Sequence, residues 1–280
     1  IARVCMNSHW PAGQLCLNYL SSLNPYPKQK RTMKLSPVEF QDMKSVQPIA
    51  MLTAYTAPVA KCLEEAGIPV ILVGDTVGMV EMGFSGTQSV TLDHVTYHIG
   101  AVRCGAPDTH IIGDLPYLSD ADKETALSSA NRLIEAGADS VKLEGPKYDV
   151  IEHLVSHDIP VVGHTGLTPQ TAKSFKQAGK GEADANRILK EAKGIEQAGA
   201  FLIVLEHIPD ELGNIITKSL SIPTIGIGAG PECDGQVLVI NDAIGLGDGW
   251  PPFSKQYAHV NDAILSVAKD YKSEVESGKF

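Results

Sequence analysis

The stretch Val70-Ile71-Leu72-Val73-Gly74-Asp75 sets the fold of the chain. Four apolar residues in a row, three of them β-branched, form the kind of strand that is buried on both faces of a parallel sheet. The strand ends on a glycine and a carboxylate. Just upstream, residues 58–66 carry a helical pattern closed by Gly67, the residue type that most easily adopts a left-handed cap. The unit of helix, glycine, short apolar strand and acid then recurs. Glu135-Ala136-Gly137 leads through Val141-Lys142-Leu143 to Glu144, and Gln197-Ala198-Gly199 leads through Phe201-Leu202-Ile203-Val204-Leu205 to Glu206. A weaker copy, His110-Ile111-Ile112-Gly113, ends on Asp114. All strand C-termini of a parallel barrel open on one face, so the four acids are expected to share one mouth.

Working outward, Ser36-Pro37-Val38-Glu39 is a capping box with proline at the first helical position and starts a short N-terminal helix. Strands are expected at 49–53, 70–75, 110–114, 141–144, 160–164, 201–206, 223–227 and 243–246. Helices are expected at about 92–103, 122–136, 148–156, 184–198 and 256–275, with another opened by Pro209. The polar segments 76–86 and 165–183 are expected to be long loops, and loops after strand C-termini are where barrels place binding residues. Eight strands alternating with helices predict a single (β/α)8 TIM barrel over residues 33–280. An open doubly wound sheet is the competing topology, but the phosphate-binding glycine fingerprint it normally carries after the first strand is missing.

The chain has 280 residues with a formal charge of −10, which argues against a nucleic-acid partner, because neutralising phosphates needs a basic surface. No apolar run approaches the ~20 residues of a membrane span. Cys5, Cys16, Cys62, Cys104 and Cys233 are scattered without a CxxC pair, which suits a reducing cytoplasm better than a disulfide framework or zinc site. Residues 1–32 carry Arg3, Lys28, Lys30 and Arg31 and no acid. A start on Ile1 and an internal Met33 point to a translated upstream stretch or an incomplete record, with a transit peptide as the alternative. This head is expected to be disordered or artefactual and to lie outside the barrel.

Asp75, Asp114 and Glu144 are hard oxygen ligands with no neighbouring Cys or His. Such a set suits one Mg²⁺ per subunit, with a 2-oxo acid supplying further oxygens; solvated, unpaired carboxylates are the alternative. Lys142 and Glu144 stand two apart on one strand and point to the same side. A lysine beside a carboxylate stays protonated, available to a substrate carboxylate or to a structural ion pair with Glu144. Glu206 follows five apolar residues, and burial would prepare it to exchange protons near neutral pH. His164, at the end of the fifth strand, is a candidate auxiliary in proton transfer, or a structural histidine. The Gly226-Ile227-Gly228-Ala229-Gly230 run is expected to be a tight turn. His94 and His98, four apart on a helix, are expected on its surface or in its packing.

These motifs together resemble the 3-methyl-2-oxobutanoate (ketopantoate) hydroxymethyltransferase family. The likeness runs from about Met51 to the C-terminus. Its anchors are Leu52-Thr53-Ala54-Tyr55, Val73-Gly74-Asp75-Thr76-Val77-Gly78-Met79 and Gly113-Asp114-Leu115-Pro116. They continue through Val141-Lys142-Leu143-Glu144-Gly145 and Gly163-His164-Thr165-Gly166-Leu167-Thr168-Pro169-Gln170 to Cys233-Asp234-Gly235-Gln236-Val237-Leu238-Val239. The resemblance implies Mg²⁺, 5,10-methylenetetrahydrofolate as one-carbon donor, and 2-dehydropantoate formed through a Mg-stabilised enolate in pantothenate biosynthesis. It implies Asp75, Asp114 and Glu144 as metal acids, Asp75, Thr76, Asp114 and Lys142 as oxo-acid contacts, and Glu206 as the proton acceptor. It also implies a homo-oligomer, commonly a decamer.

The chain departs from the family pattern at four places. Thr76 replaces a serine, Thr56 an aspartate and Thr165 an apolar residue, and the segment 171–183 is shortened and recast. Thr76 and Thr165 are expected to bear on the lining of the site, and the segment on lid closure or folate contacts. Two other functions remain open: a Mg²⁺-dependent lyase or mutase of oxo acids of the isocitrate lyase and phosphoenolpyruvate mutase type, and a non-catalytic ligand-binding barrel.

Overall fold

The computed structural model describes residues 34–172 and 174–280, so the expectation for the head lies outside the described residues. Eight parallel strands close into a barrel in sequential order. They are β1 (Ile49–Thr53), β2 (Val70–Val73), β3 (His110–Asp114), β4 (Ser140–Lys142), β5 (Val161–Gly166), β6 (Leu202–Glu206), β7 (Thr224–Ile227) and β8 (Gly235–Leu238). The predicted barrel is therefore the observed one. Its mantle contains α2 (Ala57–Glu65) after β1, α4 (Leu92–Gly105) after β2, and α5 (Lys123–Ala136) after β3. It continues with α6 (Tyr148–Ser156) after β4, α7 (Glu182–Gln197) after β5 and α8 (Asp210–Ser219) after β6. No helix among the described residues is long and apolar enough to cross a membrane. Cys62 and Cys233 are free thiols.

The expected helix 58–66 is α2 within a residue, and Gly67 follows it at φ +78°, as its role in the turn requires. The N-terminal helix α1 (Pro37–Asp42) carries the complete capping box: Ser36 N–H donates to Glu39 Oε2 at 2.7 Å, and Glu39 N–H donates to Ser36 Oγ at 3.4 Å. This short helix closes the N-terminal end of the barrel. Phe40 is buried against Ile49, Met51, Leu202 and Val237, and its ring stands edge-on to His110 with centroids 5.1 Å apart.

Three expectations are corrected. The eighth strand is Gly235–Leu238, not 243–246, which falls on α9 (Ile240–Ile244) and its cap. Gly235 and Gln236 hardly look like a buried strand, but the glycine is needed where β8 meets its neighbours. A Cβ there would lie 2.3 Å from the Ile49 carbonyl oxygen, and Gly235 pairs with both Ile49 and Ile225. β7 and β8 are joined without a helix. The segment 76–86 is not all loop: α3 (Val77–Val80) turns immediately after Asp75, its first turn closed by Val77 N–H on the Gly74 carbonyl at 3.2 Å. The closing helix α10 (Val260–Glu276) starts four residues later than expected.

Side chains alternate across every strand, as the two-residue period of an extended chain requires. Val70, Leu72, Ile112, Val162, Leu202, Val204 and Ile225 fill the barrel. Ile71, Val73, Ile111, Val141, Val161, Ile203 and Leu205 face outward into the helices. Two apolar layers are thus separated by one sheet, and the inner layer stops short of the C-terminal mouth.

Candidate active site

The inner apolar layer gives way to charge within two residues. Asp114 lies two beyond Ile112, His164 two beyond Val162, and Glu206 two beyond Val204, so strand alternation carries all three inward. Lys142 and Glu144 flank the outward-facing Leu143 and follow the same rule. Asp75 does not. It stands three residues beyond Leu72 and reaches the mouth through the turn at Gly74, where its backbone N–H donates to Asp114 Oδ2 at 3.3 Å. The repeat of helix, strand and acid therefore brings Asp75 to the rim, but the turn into α3 aims it.

Asp75, Asp114, Lys142, Glu144 and His164 are all buried. Lys142 Nζ lies 2.6 Å from Asp114 Oδ1, and the two residues are directly paired across β3 and β4. The ion pair that Lys142 makes is thus with Asp114, not with Glu144 as the structural alternative had it. Burial alone would lower the Lys142 pKa, but Asp114 and Asp75 outweigh it and hold the ammonium above its ordinary range. The acids respond in the opposite sense. Burial first, and the charge of Asp114 second, push Asp75 up to about 7. Burial pushes Glu144 up to about 9, with Asp75 and Asp114 adding to the rise against the pull of Lys142. One cation is shared by too many buried carboxylates.

Glu206 is partly buried, with 19% of its side chain exposed. It faces the open side of the mouth. His164 stands between the two kinds of acid, with Nδ1 3.6 Å from Glu144 Oε2 and Nε2 3.2 Å from Glu206 Oε2. Neither ring nitrogen makes an aligned hydrogen bond. Thr76 is half-buried at the first turn of α3, next to Asp75.

Two residues at this mouth carry no expectation from their own chemistry. Gln170, buried in the β5–α7 connection, donates from Nε2 to Asp75 Oδ2 at 2.8 Å and to the Leu115 carbonyl at 3.0 Å. Its backbone N–H donates to Glu144 Oε1 at 3.0 Å. Tyr55, just past β1, is buried with its hydroxyl unpartnered; burial first, then the charges of Asp75, Glu81 and Asp114, raise its pKa. Both lie in the quoted motifs Leu52-Thr53-Ala54-Tyr55 and Thr168-Pro169-Gln170, but an amide and a phenol in a loop carry no spacing signal.

The departures from the family pattern separate in space. Thr165 faces outward, contrary to the expectation that it lines the site, and its hydroxyl donates to Glu191 Oε2 on α7 at 2.6 Å. Its strand parity is opposite to that of His164, which is why it leaves the barrel. Thr56 is exposed at the N-cap of α2. In the recast segment, Ala178 N–H donates to the carbonyl of His207, the residue after Glu206, at 3.0 Å. His207 itself is held at φ +46°, an uncommon conformation for a residue with a side chain. Of the glycine run expected to be a tight turn, Gly226 and Ile227 still belong to β7, and the turn begins at Gly228 (φ +64°) and includes Gly230 (φ +86°). His94 completes the cap of α4, and His98 Nδ1 lies 2.7 Å from the Tyr55 carbonyl, both packing roles as expected.

The mouth fits a hard divalent cation in donor type and in charge. It offers three buried carboxylates, two of which hold on to protons, against a single ammonium. In the present arrangement, no three His, Cys, Asp or Glu side chains among the described residues converge on one point. Asp114 is held by Lys142, and Asp75 and Glu144 are held by Gln170.

Comparison with known proteins agrees with the motif-level likeness. The family model described as ketopantoate hydroxymethyltransferase matches residues 34–280. The 3-methyl-2-oxobutanoate hydroxymethyltransferase of Thermosipho melanesiensis is 45% identical over 249 residues, covering 86% of this chain and 94% of that protein. The enzyme of the same name from Clostridium kluyveri is 47% identical over 242 residues, covering 84% and 86%. Among solved structures, phosphoenolpyruvate phosphomutase from Streptomyces platensis superposes with a TM-score of 0.60 at 12% identity, covering 88% of this chain and 89% of that one. A phosphonopyruvate hydrolase solved with oxalate and Mg²⁺ gives 0.60 at 13% identity, covering 88% of each chain. At such identities the structural likeness speaks for the barrel alone.

Proposed function

The chain belongs to the ketopantoate hydroxymethyltransferase family of pantothenate biosynthesis, and from that premise we propose that it moves a one-carbon unit from 5,10-methylenetetrahydrofolate to 3-methyl-2-oxobutanoate. The observation that carries this reading is the convergence of Asp75, Asp114, Lys142, Glu144, His164 and Glu206 on one barrel mouth.

Asp75, Asp114 and Glu144 would hold Mg²⁺, which when bound polarises the ketone of the oxo acid and spreads the negative charge that develops on its oxygen. Lys142, kept cationic by Asp114, attracts the substrate carboxylate, and the Thr76 hydroxyl stands beside Asp75 as a further contact. Glu206, open to the mouth, accepts the proton on the carbon next to the ketone. The carbanionic carbon forms a bond to the folate methylene as one of its two methylene–nitrogen bonds breaks. The second breaks as water supplies the hydroxyl of 2-dehydropantoate, and the two freed folate nitrogens take up one proton from that water and one from Glu206. His164 lies within reach of both Glu206 and Glu144, so it can hold the base in place or pass its proton on. Burial of the site excludes water from the metal acids, which strengthens every charge interaction there.

The reading extends to assembly. α10 buries none of its residues and exposes Ile264, Leu265, Val267, Tyr271 and Val275, which supports a homo-oligomer, up to the decamer expected from the family, in which a second copy covers this face.

The deciding experiment incubates the protein with 3-methyl-2-oxobutanoate tritiated at C3, with and without Mg²⁺ and the folate donor. Metal-dependent tritium release without folate, and 2-dehydropantoate only with it, is the expected result. Release without product on any one-carbon donor would favour a lyase or mutase, and no release at all a binding protein.

A further inference from the structure

Gln170 connects two strand ends that the sequence keeps far apart. Its side-chain amide spends both hydrogens, one on Asp75 Oδ2 at 2.8 Å and one on the Leu115 carbonyl at 3.0 Å. Its own backbone N–H takes Glu144 Oε1 at 3.0 Å. Asp75 follows β2, Leu115 follows β3 and Glu144 follows β4, so one residue of the β5–α7 connection ties together three neighbouring strand ends. The tie is held from outside. Gln88, in the connection between β2 and α4, donates from Nε2 to the Pro169 carbonyl at 3.1 Å and the Gln170 carbonyl at 3.2 Å. Gln170 is buried, so its amide is neither a surface group nor replaceable by bulk water without opening the loop.

The arrangement leaves room for a ligand. A carboxylate offers about four acceptor sites, and Gln170 occupies one oxygen each of Asp75 and Glu144. The hydrogen bonds therefore orient the two acids and leave the rest of each carboxylate available. An amide is neutral and cannot neutralise the buried negative charge, so its donors steer the acids without competing as a cation does. In metal sites, groups that hydrogen-bond the ligating carboxylates fix their orientation, and losing one typically weakens metal binding 10–100-fold.

We propose that Gln170 is the positioning residue of the cation site, setting the Asp75 and Glu144 carboxylates for a divalent ion from the β5–α7 connection. The inference rests on the metal-dependent reading of the site above. It also gives the Thr168-Pro169-Gln170 motif a physical task. Proline restricts the backbone next to Gln170, and Gln88 fixes the carbonyls on either side of the Gln170 N–H.

The test replaces Gln170 with Met, which keeps the length and bulk of the side chain and removes the amide. Binding of Mn²⁺ to the full chain is followed by the loss of the free-ion electron paramagnetic resonance signal, alongside KM and kcat for 3-methyl-2-oxobutanoate. Gln170→Met is expected to bind Mn²⁺ about ten-fold or more weakly and to raise the metal concentration needed for half-maximal rate. Turnover at saturating metal should fall far less. A group that merely stabilises the fold would lower the thermal midpoint and leave Mn²⁺ affinity unchanged. Wild-type Mn²⁺ affinity in Gln170→Met overturns the proposal while leaving the functional reading intact. Failure of the wild type to bind Mn²⁺ overturns both. If Gln170→Met does not fold, Gln170→Asn, whose shorter amide cannot span to Asp75, gives the same decision.

Discussion

In the absence of a divalent ion, raising the pH should destabilise this protein in a way its charge distribution makes calculable. Asp75 and Glu144 have folded pKa values of about 7 and about 9, above their ordinary values of 3.8 and 4.5. The metal-free native state therefore keeps protons that the unfolded chain has already lost. Stability from this source is complete below about pH 4 and disappears as the pH rises, first through about 7 for Asp75 and then through about 9 for Glu144. Each group contributes about 1.4 kcal/mol per pH unit between its unfolded and folded values. From about pH 5 to 8, Glu144 alone amounts to ~4 kcal/mol, an upper figure because a buried site relaxes as it charges. A divalent ion should reverse the trend by taking the place of the protons. Calorimetric titration of Mg²⁺ near pH 7, in two buffers of different ionisation heat, should then show release of about one to two protons per ion. Thermal unfolding of the chelator-treated protein should fall steadily between about pH 5 and 9, and Mg²⁺ should raise the midpoint most at the alkaline end. Metal binding without proton release, together with a flat metal-free profile, would refute the picture of carboxylates competing for too little positive charge.

Three further substitutions test separate parts of the argument. Glu206→Gln should lower turnover by about 10²–10⁴, as loss of a general base does, while Mn²⁺ affinity stays near wild type; unchanged turnover removes Glu206 from proton transfer. Lys142→Met leaves Asp114 buried without its partner and should cost about 3–5 kcal/mol in urea unfolding, with the KM for the oxo acid raised; a small loss would mean that Asp114 has another source of compensation. Gly163→Ala puts a methyl 2.1 Å from Ile195 Cγ2 and should cost ~1–3 kcal/mol from overpacking. Combined with Ile195→Ala it should be less destabilised than the two losses added, and strict additivity would show that the contact is relieved elsewhere.

Much of the fold was legible because it rests on local signals. The capping box at Ser36, the cap glycine at Gly67 and the apolar runs ending at Asp75, Asp114, Glu144 and Glu206 all appear where their short-range patterns place them. The eighth strand was misplaced for the converse reason. Gly235–Leu238 is a strand because β1 and β7 both pair with it, and close approach demands a glycine that hydrophobicity cannot flag. Thr165 was expected to bear on the lining of the site as a departure from the family pattern, but strand register turns it to the face opposite His164, against Glu191.

The sequence by itself determined the barrel, the mouth and its cast of acids, because period-two strands and capped helices are encoded within a few residues of one another. What the acids do to each other was decided only by the tertiary structure. Lys142 chose Asp114 over Glu144 because β3 and β4 pair these two residues directly. Asp75 was aimed by the turn after Gly74, and His164 came to lie between Glu144 and Glu206 through the packing of three strands. Gln170 reached Asp75 across 95 residues of chain. Hydrogen bonds, ion pairs and desolvation act over a few ångströms of space, and chain closure alone settles which residues share that space.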